Sequence, residues 1–306
     1  MGNADLGIAA PDKCLRTVDL GRRALLLATP ALLARPVWSA PAEPRVAALD
    51  WALTETMIVL GHDPIAVVAA ADWPRFVVEP ALPATTADLG LQQEINFELL
   101  AYLSPDLVLI SPFLQRLAPQ IELIAETVNL SIYEDTGSPL ALRETVTRDL
   151  GVRLGRDAEA SRFLSETAAD FDALAARAAS LQHRPILVVT FVDSRHVRVY
   201  GPASLFHNVL SRLGMQNAWT REVGYFGFDM VGIEELATIG DAHLVTFDPV
   251  PAGVLPRLAE SPIWSQLDFA RFDRISILPP VLMFGALPSA LRFGRLLIDE
   301  LESRST

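Results

Sequence analysis

Five histidines are the first side chains to test for chemistry: His62, His183, His196, His207 and His243. No two stand four residues apart, so no helix face offers the histidine pair of a zinc hydrolase. Cys14 is the only cysteine, which leaves no intrachain disulfide, no CxxC redox pair and no thiolate zinc site. The tightest polar cluster is 193-DSRH-196. Acyl transfer would need Ser194, His196 and an acid to converge. Neighbours on an extended strand point to opposite faces, so the cluster predicts a loop or strand edge rather than a triad. The carboxylates Glu234-Glu235 and Asp170/Asp172 fall on helical segments, where a solvated face is their expected use. Phosphate loops of the G-x-x-x-x-G-K-[ST] type, the G-x-G-x-x-G turn and the G-x-S-x-G elbow are all absent. A net charge of −12, with arginines dispersed along the chain, excludes nucleic acid as a partner.

Aromatic residues are more informative. Trp51 and Trp73 stand just after predicted strand ends, with Phe76 close by. Tyr225, Phe226 and Phe228 crowd the loop 224-GYFGF-228, and Phe284 lies in 282-LMFGAL-287. Three aromatics in a five-residue loop with two glycines are hard to accommodate in a core. Loops at the C-terminal ends of parallel strands are where α/β sheets hold their ligands. An aromatic cleft with few titratable groups predicts a binder of a bulky ligand, not a catalyst.

The elements that must position these rings form two α/β halves. The 306 residues are 51% hydrophobic and 20% charged, enough to bury a sizeable core. In residues 43–150, the buried-strand runs 45-RVAALD-50, 64-PIAVVAA-70 and 106-DLVLIS-111 alternate with helical patterns at 54–60, 96–103 and 117–126; a further strand is predicted at 128-VNLSIYE-134. From about 140 to 181 no strand signal appears. There Phe163, Leu164, Phe171, Leu174 and Leu181 recur at helical spacing, predicting one long connecting helix at 151–182. Residues 183–306 return to strands (185-PILVVTFV-192, 196-HVRVYG-201, 242-AHLVTFD-248, 274-RISILP-279) and helices, the last at 288–303. The halves echo each other: 97-FELLAYLSPDLVLI-110 and 233-IEELATIGDAHLVTF-247 both run helix, gap, apolar strand. The predicted fold is α/β, two Rossmann-like lobes with parallel-sheet cores joined by one long spine helix, with a cleft between them.

Residues 1–42 read differently. The apolar run 24–34 is 11 residues long and interrupted by Pro30, short of the roughly 20 that span a bilayer. Arg22-Arg23 precedes it and 40-APA-42 follows it, the pattern of a cleavable secretory signal of twin-arginine type, with cleavage near Ala42. Removal takes five basic and three acidic residues from totals of 25 and 37, leaving a net charge of −14 and no cysteine.

Five segments in order, 46-VAALDW-51, 79-EPALPATTADLGLQQEINFELL-100, 193-DSRHVRVYGPASLF-206, 217-NAW-219 and 283-MFGALPSALRF-293, resemble the periplasmic binding proteins of iron-siderophore and cobalamin ABC importers. The likeness is strongest to the branch that binds iron(III)-hydroxamate siderophores. It implies the class III periplasmic binding fold and a monomer that carries a ferric siderophore to an inner-membrane permease and its ATPase. It further implies no enzyme activity, no resident metal and no cofactor, because iron arrives inside its chelate. Cobalamin or haem is the alternative cargo within the same fold; an exported α/β enzyme is the alternative from another class. Carried over by position, the pocket aromatics fall on Trp51, Phe76, Phe226 and Phe284, with Met283 beside the last. The family's hydroxamate-binding arginine falls on Gln92 and its ligand-bonding tyrosine on Leu114, so neither is retained. Arg198 is the candidate replacement cation, supplied from the second lobe, and Arg116 is the other. Permease docking through one acid per lobe falls on Glu79 and on Glu234 or Glu235.

Overall fold

The computed structural model describes residues 43–132 and 139–305, so the expected export signal lies outside the described residues. Strand β1 (Val46–Ala48) is wholly buried and leads into helix α1 (Trp51–Val59). Asp50 starts that helix: its carboxylate accepts from the amides of Ala52 (2.9 Å) and Leu53 (3.2 Å), donors that would otherwise lack partners. Gly61, at φ +75°, follows its end. The chain continues through β2 (Ala66–Val67), α2 (Trp73–Phe76), β3 (Ala87–Asp88), α3 (Phe97–Leu103), β4 (Leu107–Ile110), a 3-10 turn at Pro112–Leu117, α4 (Ala118–Ile121) and β5 (Glu126–Asn129). All five strands are parallel, in the order β3-β2-β1-β4-β5. The buried Leu-Val-Leu-Ile run of β4 is what a strand covered on both faces requires. The predicted helix at 117–126 ends earlier, at Ile121, and β5 begins two residues before the predicted strand.

Two helices, not one, occupy the strandless stretch: α5 (Pro139–Leu154) and α6 (Asp157–Ser180). The connector therefore starts at Asp157 rather than at 151. Gly155 takes φ +66° and the Arg156 amide returns to the Gly151 carbonyl at 2.7 Å, which ends α5 and reverses the chain. A Cβ at Gly151 would lie 2.6 Å from that of Ala160, so glycine lets the two helices approach closely. At about 1.5 Å per residue the 24 residues of α6 run about 36 Å.

Lobe two contains β6 (Ile186–Phe191), β7 (His196–Tyr200), α7 (Leu205–Arg212), β8 (Phe228–Gly232), a 3-10 turn at Ile233–Thr238, β9 (His243–Phe247), α8 (Val254–Ala259), α9 (Asp268–Arg271), β10 (Ile275–Leu278) and α10 (Leu287–Ser305). Its sheet runs β10-β9-β6-β7-β8, with a parallel core of β10, β9 and β6. The other two strands, β7 and β8, run antiparallel beside that parallel core. Only residues 192–195 join β6 to β7, far too few for a parallel crossover. The sequence echo is real in space: α3–β4 and the 3-10 turn–β9 each deliver a strand parallel to the first strand of its lobe.

A buried chain of polar groups closes the bottom of lobe two. His243 Nε2 lies 2.8 Å from Ser276 Oγ, which donates to Glu300 at 2.7 Å, tying β9 and β10 to α10. Removal from water, reinforced by Arg304, depresses the His243 imidazole to about 4. The unfolded chain then binds the extra proton between about pH 6.5 and 4, so His243 costs stability as pH falls through that window. Compared with His243→Gln by urea denaturation at pH 4.5, 5.5 and 7, the wild type is expected to lose ground steadily toward the acid end. Parallel pH profiles for the two proteins would reject this assignment.

Candidate ligand-binding site

The two sheets present their strand ends to a cleft of about 550 Å³, lined by both lobes. Trp51, first residue of α1, donates its indole N–H to the Val68 carbonyl (2.8 Å), which orients the ring. It meets Trp73 edge-on at 5.8 Å and Phe76 at 6.2 Å, building an aromatic wall from the ends of β1 and β2. Gln92 lines the same side. Met283 and Phe284 form the facing wall, in the turn between β10 and α10.

Arg198 comes from the middle of β7. Its register partner on β6 is Thr190, and Tyr200 follows two residues later, so strand periodicity puts all three on the face that lines the cleft. The guanidinium carbon sits 4.5 Å from the Phe228 ring centre and Nη1 lies 3.2 Å from the Met283 sulfur. Tyr200 donates to the same sulfur (3.2 Å) and bonds Thr190 at 2.9 Å; burial pushes its phenol up. Among the described residues no carboxylate pairs with Arg198, and its Nε is buried without a hydrogen-bond partner. Asp50, also at the cleft, has its carboxyl raised by removal from water against the opposing effect of its helix amides.

Phe226 is not itself among the lining residues but packs against two that are, Phe113 and Phe284. It stacks on Phe113 of lobe one (centroids 4.9 Å, planes 19° apart) and meets Phe284 at 6.1 Å. Phe113 lies 6.2 Å from Phe284 and lines the cleft directly. Leu114, the expected lining residue, does not: it is 3% exposed in the core of lobe one. The 3-10 turn after β4 points one residue of the pair inward and the next outward, and it is Phe113 that faces the ligand space. An aromatic just past a strand end was the available signal for it. Arg116 is exposed and outside the cleft lining; the arginines that line it are Arg198 from lobe two and the exposed Arg75 from lobe one.

The remaining singled-out residues lie elsewhere. Asp193 accepts from the amides of Arg195 (2.6 Å) and His196 (2.8 Å) and from His196 Nδ1 (3.0 Å), the turn joining β6 and β7. Those hydrogen bonds, that of the His196 ring foremost, hold its carboxyl down at about 2. The cluster is turn architecture. Glu234 is exposed in the 3-10 turn before β9, and Glu235 pairs with Arg221 at 3.0 Å. Glu79 is paired with two arginines of α10, Arg292 (2.9 Å) and Arg295 (3.6 Å).

Beneath the cleft, three further contacts stitch the first turn of α10 and the two residues before it to lobe one. The Arg143 guanidinium donates to the Gly285 carbonyl at 2.7 Å. Buried Glu55 of α1 accepts from the amide of Ala286 and, at 2.6 Å, from the Ser289 hydroxyl. Burial raises its carboxyl to about 7, opposed by those hydrogen bonds and by Arg143.

Two lobes of doubly wound sheet, a helical connector and one aromatic cleft between strand ends define a substrate-binding protein. Residues 46–282 match the family model described as Periplasmic binding protein, and the chain belongs to that family. It is 31% identical over 260 residues to the iron(3+)-hydroxamate-binding protein FhuD of Escherichia coli (strain K12), covering 83% of this chain and 85% of the relative. In fold it resembles FhuD from Vibrio cholerae with Fe3+-Desferal bound, at TM-score 0.79 and 24% identity over 85% of this chain and 98% of that one. It also resembles FhuD2 from Staphylococcus aureus with bound ferrioxamine B, at TM-score 0.66 and 16% identity over 86% and 100% of the two chains.

Proposed function

We propose that this chain is the periplasmic substrate-binding protein of an iron-siderophore ABC importer, taking a ferric hydroxamate chelate into its aromatic cleft. Its part is binding and delivery, with no catalytic step. The observation that carries the reading is Arg198: a cation set between aromatic walls, with a buried Nε that lacks an acceptor. Hydroxamate oxygens bound to iron carry partial negative charge, and a planar guanidinium donates paired hydrogen bonds to such oxygens. Trp51, Phe76, Phe226 and Phe284, with Met283, supply the apolar walls; Gln92 adds a neutral amide donor. Phe113 takes the lobe-one wall position that the family likeness had placed at Leu114. The iron keeps its chelate oxygens, so the protein contributes no metal ligand and no cofactor. The cleft volume lies within the range of drug-sized ligand sites, about 300–1,000 Å³.

Delivery follows from docking on an inner-membrane permease and its ATPase, through Glu234 of lobe two and Glu79 of lobe one, the protein acting as a monomer. Export rests on the signal reading of residues 1–42. No helix of the described residues is long and apolar enough to cross a membrane. The deciding measurement is intrinsic tryptophan quenching of the mature protein by ferrioxamine B, ferrichrome, ferric citrate, haem and cobalamin. Trp51 in the cleft and Trp73 beside it are the reporters. Saturable quenching by the hydroxamates is expected; quenching by haem or cobalamin alone would overturn the siderophore assignment.

A further inference from the structure

Arg292 joins both walls of the cleft through one guanidinium. It sits on α10 with its side chain 8% exposed. Nε donates to the Pro280 carbonyl at 3.0 Å, and Nη1 reaches Glu79 at 2.9 Å. Pro280 opens the segment that carries Met283 and Phe284, and Glu79 stands three residues past Phe76 on the opposite wall. The planar fork fixes the distance and direction of both partners. Most ion pairs in water hold little, but here one member is buried. Removing its carboxylate would leave a desolvated charge uncompensated, a far larger perturbation than losing an exposed pair.

The backbone around Glu79 is held against its preference. Val78 adopts φ +68°, a left-handed conformation that a β-branched residue avoids. Such a conformation persists only where surrounding contacts over-determine it. The contacts around it include the Val78 amide to the Trp73 carbonyl (3.1 Å), the Glu79 amide to the Val77 carbonyl (2.8 Å), the Trp73 indole to the Pro80 carbonyl (2.9 Å) and the Glu79–Arg292 pair. Arg295, 3.6 Å from the other carboxylate oxygen, adds a second cation on the same face.

We propose that Glu79 and Arg292 form an inter-lobe latch that sets how long the cleft retains its ligand, with Glu79 acting as a positioning residue. The proposal rests on the siderophore-binding reading above, whereas the latch itself can be tested without ligand. Glu79 is 57% exposed, so its carboxylate is open to competition from outside. A docking partner that engages Glu79 must take it from Arg292, which makes docking and wall release share one carboxylate.

The test is Glu79→Gln, nearly isosteric and half-exposed, with a thermal melt to confirm folding. In the ligand-free protein, hydrogen exchange at the amides of 281–286 is expected to accelerate at least threefold over wild type. In stopped-flow quenching with ferrioxamine B, the dissociation rate is expected to rise about tenfold with the association rate within twofold, since the lost contact acts after capture. Wild-type exchange rates in the variant, or an effect confined to association, would overturn the latch. If the wild type itself binds neither ferrioxamine B nor ferrichrome, the siderophore reading falls, and the exchange result alone decides the latch.

Discussion

Replacing Arg198 by alanine is expected to weaken ferrioxamine B binding by about thirtyfold to a hundred-and-sixtyfold, the range set by about 2–3 kcal/mol for hydrogen bonds to a charged donor. Arg75 of lobe one also lines the cleft, but it is exposed and lies over the Phe76 ring at 5.0 Å, whereas Arg198 is the lining arginine supplied from lobe two. Arg198→Lys keeps the charge and loses the fork, so its affinity should fall between the two. The ligand-free proteins should move the other way. A guanidinium with an unsatisfied buried Nε costs the empty cleft free energy, and removing it relieves that cost. Arg198→Ala is therefore expected to melt at or above the wild-type temperature while binding more weakly. A residue with a purely structural role would lower both stability and affinity together. Unchanged affinity in Arg198→Ala, measured by tryptophan quenching, would reject its role as the ligand's cationic contact.

The second large effect concerns Glu55. Its carboxyl is raised from 4.5 to about 7 because burial disfavours the charged form more than Ala286, Ser289 and Arg143 favour it. Between those two values the folded state holds a proton that the unfolded chain releases. Stability contributed by the protonated acid is complete below about pH 4.5 and is lost as pH rises through 7, by about 3 kcal/mol for this shift. Glu55→Gln presents an uncharged isostere at every pH. Its stability relative to wild type is expected to be near zero at pH 4.5 and to reach about 3 kcal/mol in the variant's favour by pH 8. Urea unfolding at pH 4.5, 6 and 8 measures the difference, and a difference that does not vary with pH would show that folding does not raise the Glu55 carboxyl. The consequence reaches the cleft, because Glu55 holds the amides that follow Met283 and Phe284.

Much of this was legible in the chain. The helical patterns at 54–60 and 96–103 became α1 and α3, and the side chains that cap them in the structure, Asp50 and Asn96, accept from amides two or three residues on. The runs at 46–48, 107–110, 186–191 and 243–247 became strands because an uninterrupted apolar stretch of that length suits a sheet covered on both faces. The break between α5 and α6 was missed: apolar spacing continues across Gly155, and only the backbone turn at that glycine shows the reversal. The choice between Phe113 and Leu114 was missed for a related reason. A 3-10 turn has no long period to read, so which neighbour faces outward depends on what packs beneath it.

Taken alone, the residue order determined the α/β class, the two-lobe repeat, the absence of nucleophile and phosphate-loop motifs, and aromatics at strand ends. These depend on period, composition and contacts between close neighbours. The tertiary structure decided that Arg198 faces the cleft without a carboxylate and that Phe113 closes over it against Phe226. It also decided that Glu79 belongs to Arg292 and that Glu55 is buried beneath Ala286 and Ser289. Each of those pairings joins residues from about 110 to 234 positions apart. At such separation no periodicity constrains which side chains meet; only the packing of the two lobes about α10 brings them together.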